Sequence, residues 1–159
     1  MENNREQRRR AFSNRTMTPD QYKLDPERYR NPDGTLPEWF VQFQRCAKWI
    51  GDAMDRAGGT HWLCDVADMV SDGRAYLWPG EKSVVVTHFI HYPRKKALNF
   101  WLVGGDIEEL EQMEPIIAAW GKAAGCSRLV ATGRKGWLRS FMVKNAGYAP
   151  RWWVLAKEL

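Results

Sequence analysis

The spacing of apolar residues along this chain changes period several times, and each change marks an element. From Glu38 to Ala57, Phe40, Phe43, Ala47, Ile50 and Met54 recur at steps of three and four, with Trp39 and Trp49 on the flanks. That is the period of an amphipathic helix, and Gly58-Gly59 supplies its stop. Thr60 offers an N-cap to a second helix, His61 to Ser71, with Leu63, Val66, Ala67 and Val70 turned inward. Asp72-Gly73 reads as a turn, Arg74 to Trp78 as a short strand, and Pro79-Gly80-Glu81-Lys82 as a hairpin-like connection. Ser83 to Tyr92 is the longest β-branched run, apolar on both faces as an interior strand requires. Pro93-Arg94-Lys95-Lys96 then turns the chain into the run Ala97 to Val103, and so short a turn makes the two strands antiparallel neighbours.

The second half alternates more tightly. After Gly104-Gly105, the positions Ile107, Leu110, Met113, Ile117, Trp120 and Ala124 keep one helical face inward. Pro115 predicts a kink or a restart within that helix, and Gly125 ends it. Arg128 to Thr132 reads as a strand broken by Gly133. Arg134 to Ala146 reads as one basic amphipathic helix burying Trp137, Leu138, Phe141 and Met142. Gly147 stops it, and Arg151 to Lys157 reads as a last strand. Short strands alternating with helices imply βαβ units and a partly parallel sheet. The expectation is an α+β domain over residues 38–159, a mixed and mostly antiparallel sheet flanked by helices, preceded by an extended N-terminal arm at residues 1–37.

The arm differs in composition. Thr18-Pro19-Asp20, Asp25-Pro26-Glu27, Asn31-Pro32-Asp33-Gly34 and Leu36-Pro37 are turn signals, yet Tyr22, Leu24 and Tyr29 lie among them. A flexible linker has no need of those side chains, so the arm is expected to pack, on its own domain or on a neighbour. Arg5, Arg8, Arg9, Arg10 and Arg15 stand against Glu2 and Glu6, and the whole chain carries a formal +5. Such a basic terminus suits nucleic acid phosphates or an acidic protein surface, although no aromatic residues interleave it. Trp152 and Trp153 must point to opposite faces of one strand, one inward and one outward. Candidate partner-binding residues are therefore Arg8, Arg9, Arg10, Tyr22, Tyr29 and Trp152.

The 159-residue length suits one domain plus an extension, and nine tryptophans make its core or its surface aromatic. No apolar run is long enough for a membrane span, and the polar start lacks the apolar stretch of a secretory signal. Cys46, Cys64 and Cys126 are odd in number and irregular in spacing, which predicts reduced thiols and no metal site.

Two helices, three antiparallel strands, then helix, strand, helix, strand: this order resembles the GNAT (N-acetyltransferase) family. The nearest likeness is to GNAT-like proteins that tailed bacteriophages encode near their structural genes. It is carried by Leu77-Trp78-Pro79-Gly80, Tyr92-Pro93-Arg94-Lys95-Lys96, Gly104-Gly105-Asp106, Trp120 with Gly125-Cys126, and above all Gly133-Arg134-Lys135-Gly136-Trp137-Leu138-Arg139 followed by Gly147-Tyr148. It covers roughly Thr60 to Leu159. The resemblance implies an acyl-coenzyme A site where the strand before the long helix splays from its neighbour. The pyrophosphate would rest on N–H groups at that helix's N-terminus, in an Arg/Gln-x-x-Gly-x-Gly/Ala loop.

The matching segment is Val103 to Glu109. It keeps Gly104 and Gly105 and lacks the basic residue and the second glycine, while Asp106, Glu108, Glu109, Glu111 and Glu114 load the helix with acid. Candidate cofactor contacts are Val103, Gly104 and Gly105 with Arg134, Lys135 and Arg139, the last three expected in the first turns of their helix. The family's acid, a tyrosine four residues before the closing Gly-Tyr, is replaced by Val143, and Tyr148 matches an aromatic that packs. Candidate general bases are Glu81, His88 and His91, the two histidines lying on opposite faces of one strand. The resemblance thus implies a non-catalytic, virion-associated protein that binds phage structural proteins, in the host cytoplasm or the particle, and oligomerisation is open to it. The alternative is an acetyltransferase using acetyl-CoA on a small amine or a protein.

Overall fold

Helix α1 (Glu38–Asp55) forms where the period predicts, burying Phe40, Phe43, Cys46, Ile50 and Met54 along one stripe. The structure, a computed structural model, describes residues 23–57, 59–133, 135–151 and 157. Residues 1–22, Arg134 and Trp152 lie outside them, and with these the arginine-rich terminus, Tyr22 and most of the expected last strand. Helix α2 (Leu63–Ser71) starts later than a Thr60 cap would place it. Trp62 occupies the N-cap, and the Asp65 carboxylate accepts its N–H at 2.7 Å, so an acid three residues on does the capping. The Thr60 hydroxyl pairs instead with His61 Nδ1 at 2.8 Å.

Four strands follow, β1 (Tyr76–Pro79), β2 (Ser83–Tyr92), β3 (Lys95–Gly105) and β4 (Arg128–Ala131), in the spatial order β1-β2-β3-β4. The first three form an antiparallel meander. β4 joins β3 in parallel, because helix α3 (Ile107–Ala123) carries the chain back across the sheet before it. The fold is thus α+β with a mixed sheet. Helices α1 and α2 cover one face through Val84, Val86 and Leu102, and α3 covers the other through Val85, Leu98 and Phe100. Val86 pairs with Leu102 but Thr87 with Phe100, so Trp101 is an extra residue in β3. This bulge turns both Trp101 and Leu102 toward α1 and α2.

Three expectations are corrected here. Of the kink or restart expected at Pro115, the restart does not occur, because α3 runs continuously through it. Ile107, expected inward, is 55% exposed at the helix's first position. The helix expected over residues 134–146 is two pieces, a 3₁₀ turn at Lys135–Arg139 and a short α4 (Phe141–Lys144). Ser140 divides them: its hydroxyl donates to the Trp137 carbonyl at 2.7 Å and accepts from Met142 N–H at 3.3 Å. A side chain competing for backbone partners interrupts the helical ladder.

The described part of the arm packs on its own domain. Tyr29, offered above as a partner contact, is only 8% exposed and belongs to the α1–α2 core. Its ring stacks on Phe40 at 4.8 Å, and its hydroxyl donates to Asp68 Oδ1 at 2.7 Å. Burial, and then the Asp68 carboxylate, push the phenol well above its ordinary value, so it remains a donor. Leu24 and Leu36 pack on the same core. Cys46, Cys64 and Cys126 are free thiols, and burial raises Cys46 and Cys126 above the usual range. Among the described residues no helix is long and apolar enough to cross a membrane.

Candidate functional site

Parallel pairing of β3 with β4 lasts from Ala97–Arg128 to Phe100–Ala131 and then ends, while β3 runs on to Gly105. Along that free part of β3, between it, the start of α3 and residues 136–142, a cleft of about 210 Å³ opens. Its walls are apolar: Val85, Phe100, Val103, Leu110, Phe141 and Met142. Arg56 and Glu114 are the charged groups among its described lining. The Glu114 carboxylate accepts the Tyr148 hydroxyl at 3.0 Å, and the Tyr148 ring meets Phe100 edge-on at 6.4 Å. Burial, reinforced by the Glu114 charge, holds the Tyr148 phenol far above its ordinary value. Tyr148 therefore packs and donates, in keeping with its place after Gly147, and Val143 lies within α4.

The N-terminus of α3 borders this cleft, and the side chain of Asp106 caps that terminus. A helix leaves its first N–H groups unpaired, ready for an anion. Here Asp106 N–H donates to the Lys82 carbonyl at 3.1 Å, and Asp106 Oδ1 accepts Glu108 N–H at 3.1 Å and Glu109 N–H at 3.0 Å. Glu109 then reaches across to the β1–β2 turn. Its carboxylate accepts Glu81 N–H at 2.7 Å, Lys82 N–H at 2.9 Å and the Ser83 hydroxyl. The turn is held from its other side by Arg45, whose guanidinium donates to the Gly80 carbonyl at 2.7 Å and the Glu81 carbonyl at 3.3 Å.

Hydrogen bonding from Ser83 foremost, with the two turn amides, keeps the Glu109 carboxyl below the usual range. A folded-state value below the unfolded one adds stability above the unfolded pKa, and that stability is lost as pH falls through the folded value. Glu109→Gln should therefore cost stability at neutral pH and progressively less on acidification. Urea midpoints of both proteins between about pH 7 and pH 3 should converge, and a constant gap would show that the charge is irrelevant.

The glycine pair expected to cradle phosphates is built into the packing. A Cβ on Gly104 would sit 2.7 Å from the Trp49 carbonyl oxygen of α1, and one on Gly105 would meet Ser83 Cα at 2.5 Å. Val103, Gly104 and Gly105 do line the cleft. Arg139 is exposed and is absent from the described lining, where Gly136, Trp137 and Ser140 represent its segment. Lys135 and Arg139 belong to a 3₁₀ turn and not to the first turns of an α-helix.

The three candidate bases are also elsewhere, His91 being exposed beside Phe89 near the far end of β2 and absent from the cleft's described lining. His88 lies on the α1–α2 side of the sheet, where its Nε2 meets Asn99 Nδ2 at 2.9 Å and its ring meets Trp101 edge-on at 5.6 Å. Glu81 is an exposed residue of the turn whose backbone, not its carboxylate, is engaged. Among the described residues no cluster of His, Cys, Asp or Glu could hold a metal ion. The groups that sequence reasoning missed are Glu114 with Tyr148, 34 positions apart, and Arg56. No local pattern links either to the cleft.

No known protein family matches the sequence, and no curated protein matches it. Solved structures do. A tetramutant of the BH1408 protein of Bacillus halodurans aligns with a TM-score of 0.53 at 12% identity, over 76% of this chain and 94% of that one. The TTHA1254 protein of Thermus thermophilus aligns at 0.50 and 13% identity, over 70% and 91%. An acetyltransferase of Trypanosoma brucei aligns at 0.48 and 11% identity, over 70% and 94%. At such identities the likeness is one of fold.

Proposed function

We propose that this chain is a GNAT-like domain that works by binding and does not transfer an acyl group from coenzyme A. The observation that carries this reading is the self-capped start of α3, where the Asp106 carboxylate already takes the Glu108 and Glu109 N–H groups that a pyrophosphate would need. An anionic cofactor would have to displace the Asp106 carboxylate from two N–H donors and then sit beside it. The element order and the parting of β3 from β4 support the GNAT-like reading. That same apolar cleft favours the second reading, an acetyltransferase with an unorthodox loop acting on a small amine or a protein.

Calorimetric titration of the full chain with acetyl-CoA at low salt separates the two. No heat of saturable binding is expected up to millimolar ligand, and a micromolar site would overturn the proposal in favour of the enzyme. The likeness to phage-encoded proteins supports a phage structural protein as the partner, met in the host cytoplasm or the virion. Deleting residues 1–22, which spares the Tyr29 core, should then abolish incorporation into particles. Unchanged incorporation would remove the arm from that role.

A further inference from the structure

The opposite end of the sheet carries a different surface. The β2–β3 turn and the start of β4 enclose an open depression of about 640 Å³, lined by Tyr92, Pro93, Arg94, Lys95 and Arg128. Topology assembles it. Antiparallel pairing sets Tyr92 beside Lys95, and parallel pairing of Ala97 with Arg128 brings the second cation-bearing strand to the same edge. Three cations thus share one depression, and no carboxylate is among its described lining.

None of the three makes a side-chain hydrogen bond or ion pair among the described residues, unlike Arg28, Arg30, Lys48 and Arg74. Lys96, next in sequence, is used structurally: its ammonium donates to the Ala124 carbonyl at 2.9 Å and lies over the Phe89 ring. Like charges held together without counter-charges repel, and a polyanion relieves that repulsion while releasing its own counterions. Tyr92, 44% exposed, stands at the rim with no ring partner among the described residues. An exposed tyrosine beside cations offers an unpaired base a ring to stack on, which duplex bases, already stacked, do not need.

We propose that this end of the sheet binds single-stranded nucleic acid, with Arg94, Lys95 and Arg128 on phosphates and Tyr92 under a base. The surface shares no lining residue with the cleft.

The test is fluorescence anisotropy of the full chain with a labelled oligothymidylate across a salt series. The wild type should bind at low salt. Arg94→Ala/Lys95→Ala/Arg128→Ala should lower the slope of log affinity against log salt by about 2 and weaken binding more than tenfold. Tyr92→Ala should weaken binding by roughly tenfold and Tyr92→Phe should not, since only the stacking face is at issue. All four positions are exposed, so a thermal melt should confirm that the variants fold. The arginines of residues 1–15 are present in every protein and cancel. An absence of wild-type binding, an unchanged slope in the triple variant, or equal affinity in Tyr92→Ala would each overturn the proposal.

Discussion

Gly105→Ala should cost the domain a large part of its stability. Gly105 ends β3 with φ +106°, opposite Ser83. Alanine there costs about 1–3 kcal/mol in backbone strain. Its Cβ would also lie 2.5 Å from Ser83 Cα and still closer to the Lys82 carbonyl, and both are backbone that cannot swing away. Overpacking of that kind adds about 1–3 kcal/mol. The total, roughly 2–6 kcal/mol, is a large part of the 5–15 kcal/mol that holds most domains folded. Gly125→Ala is the control, with φ +84° but nothing within 4 Å of a Cβ, so it bears strain alone. Urea unfolding should show a large loss for the first and a small one for the second. If Gly105 serves a cofactor and not the packing, Gly105→Ala would melt like the wild type.

Phe40→Ala should cost about 3–5 kcal/mol and loosen the segment before α1. Phe40 is fully buried and touches both sides of a join: Tyr29 stacks on it from the incoming chain, and Trp39 meets it edge-on at 5.5 Å. Its removal opens a cavity between the two helices and the segment that closes over them. Denaturant midpoints give the magnitude, and limited proteolysis gives the location, with new cuts expected between residues 24 and 37. A loss below about 1 kcal/mol, or cuts confined to other loops, would mean that the segment is held by something other than the Tyr29–Phe40 stack.

The core of the fold is written locally. β2 spans Ser83–Tyr92 as its β-branched run predicts, because a strand apolar on both faces has only one place, inside a sheet covered by helices on both sides. The stripe of α1 is equally plain, since three-and-four spacing is itself the geometry of the buried face. Residues 134–146 misled because Trp137, Phe141 and Met142 keep helical spacing whether or not the helix is continuous, and the hydroxyl of Ser140 outweighs that pattern. The acids after Gly105 announced a capped helix start. That Glu109 would reach back to residues 81–83 depends on how two distant elements dock. Alternation separated His88 from His91 by face but could not say which face held the cleft.

The way β4 joins the sheet bears on the order in which the cleft comes into being. β2 and β3 are neighbours in sequence, joined by a two-residue turn, and can pair early at small entropic cost. The four-residue β4 finds β3 only after α3 has crossed the sheet, and the Tyr148 that ties the far wall to Glu114 arrives later still. The cleft therefore belongs to the late-forming, first-opening part of the molecule, resting on a hairpin that stays shut beneath it. A ligand seated there would act as a clasp, joining the last-made wall to the first-made strand.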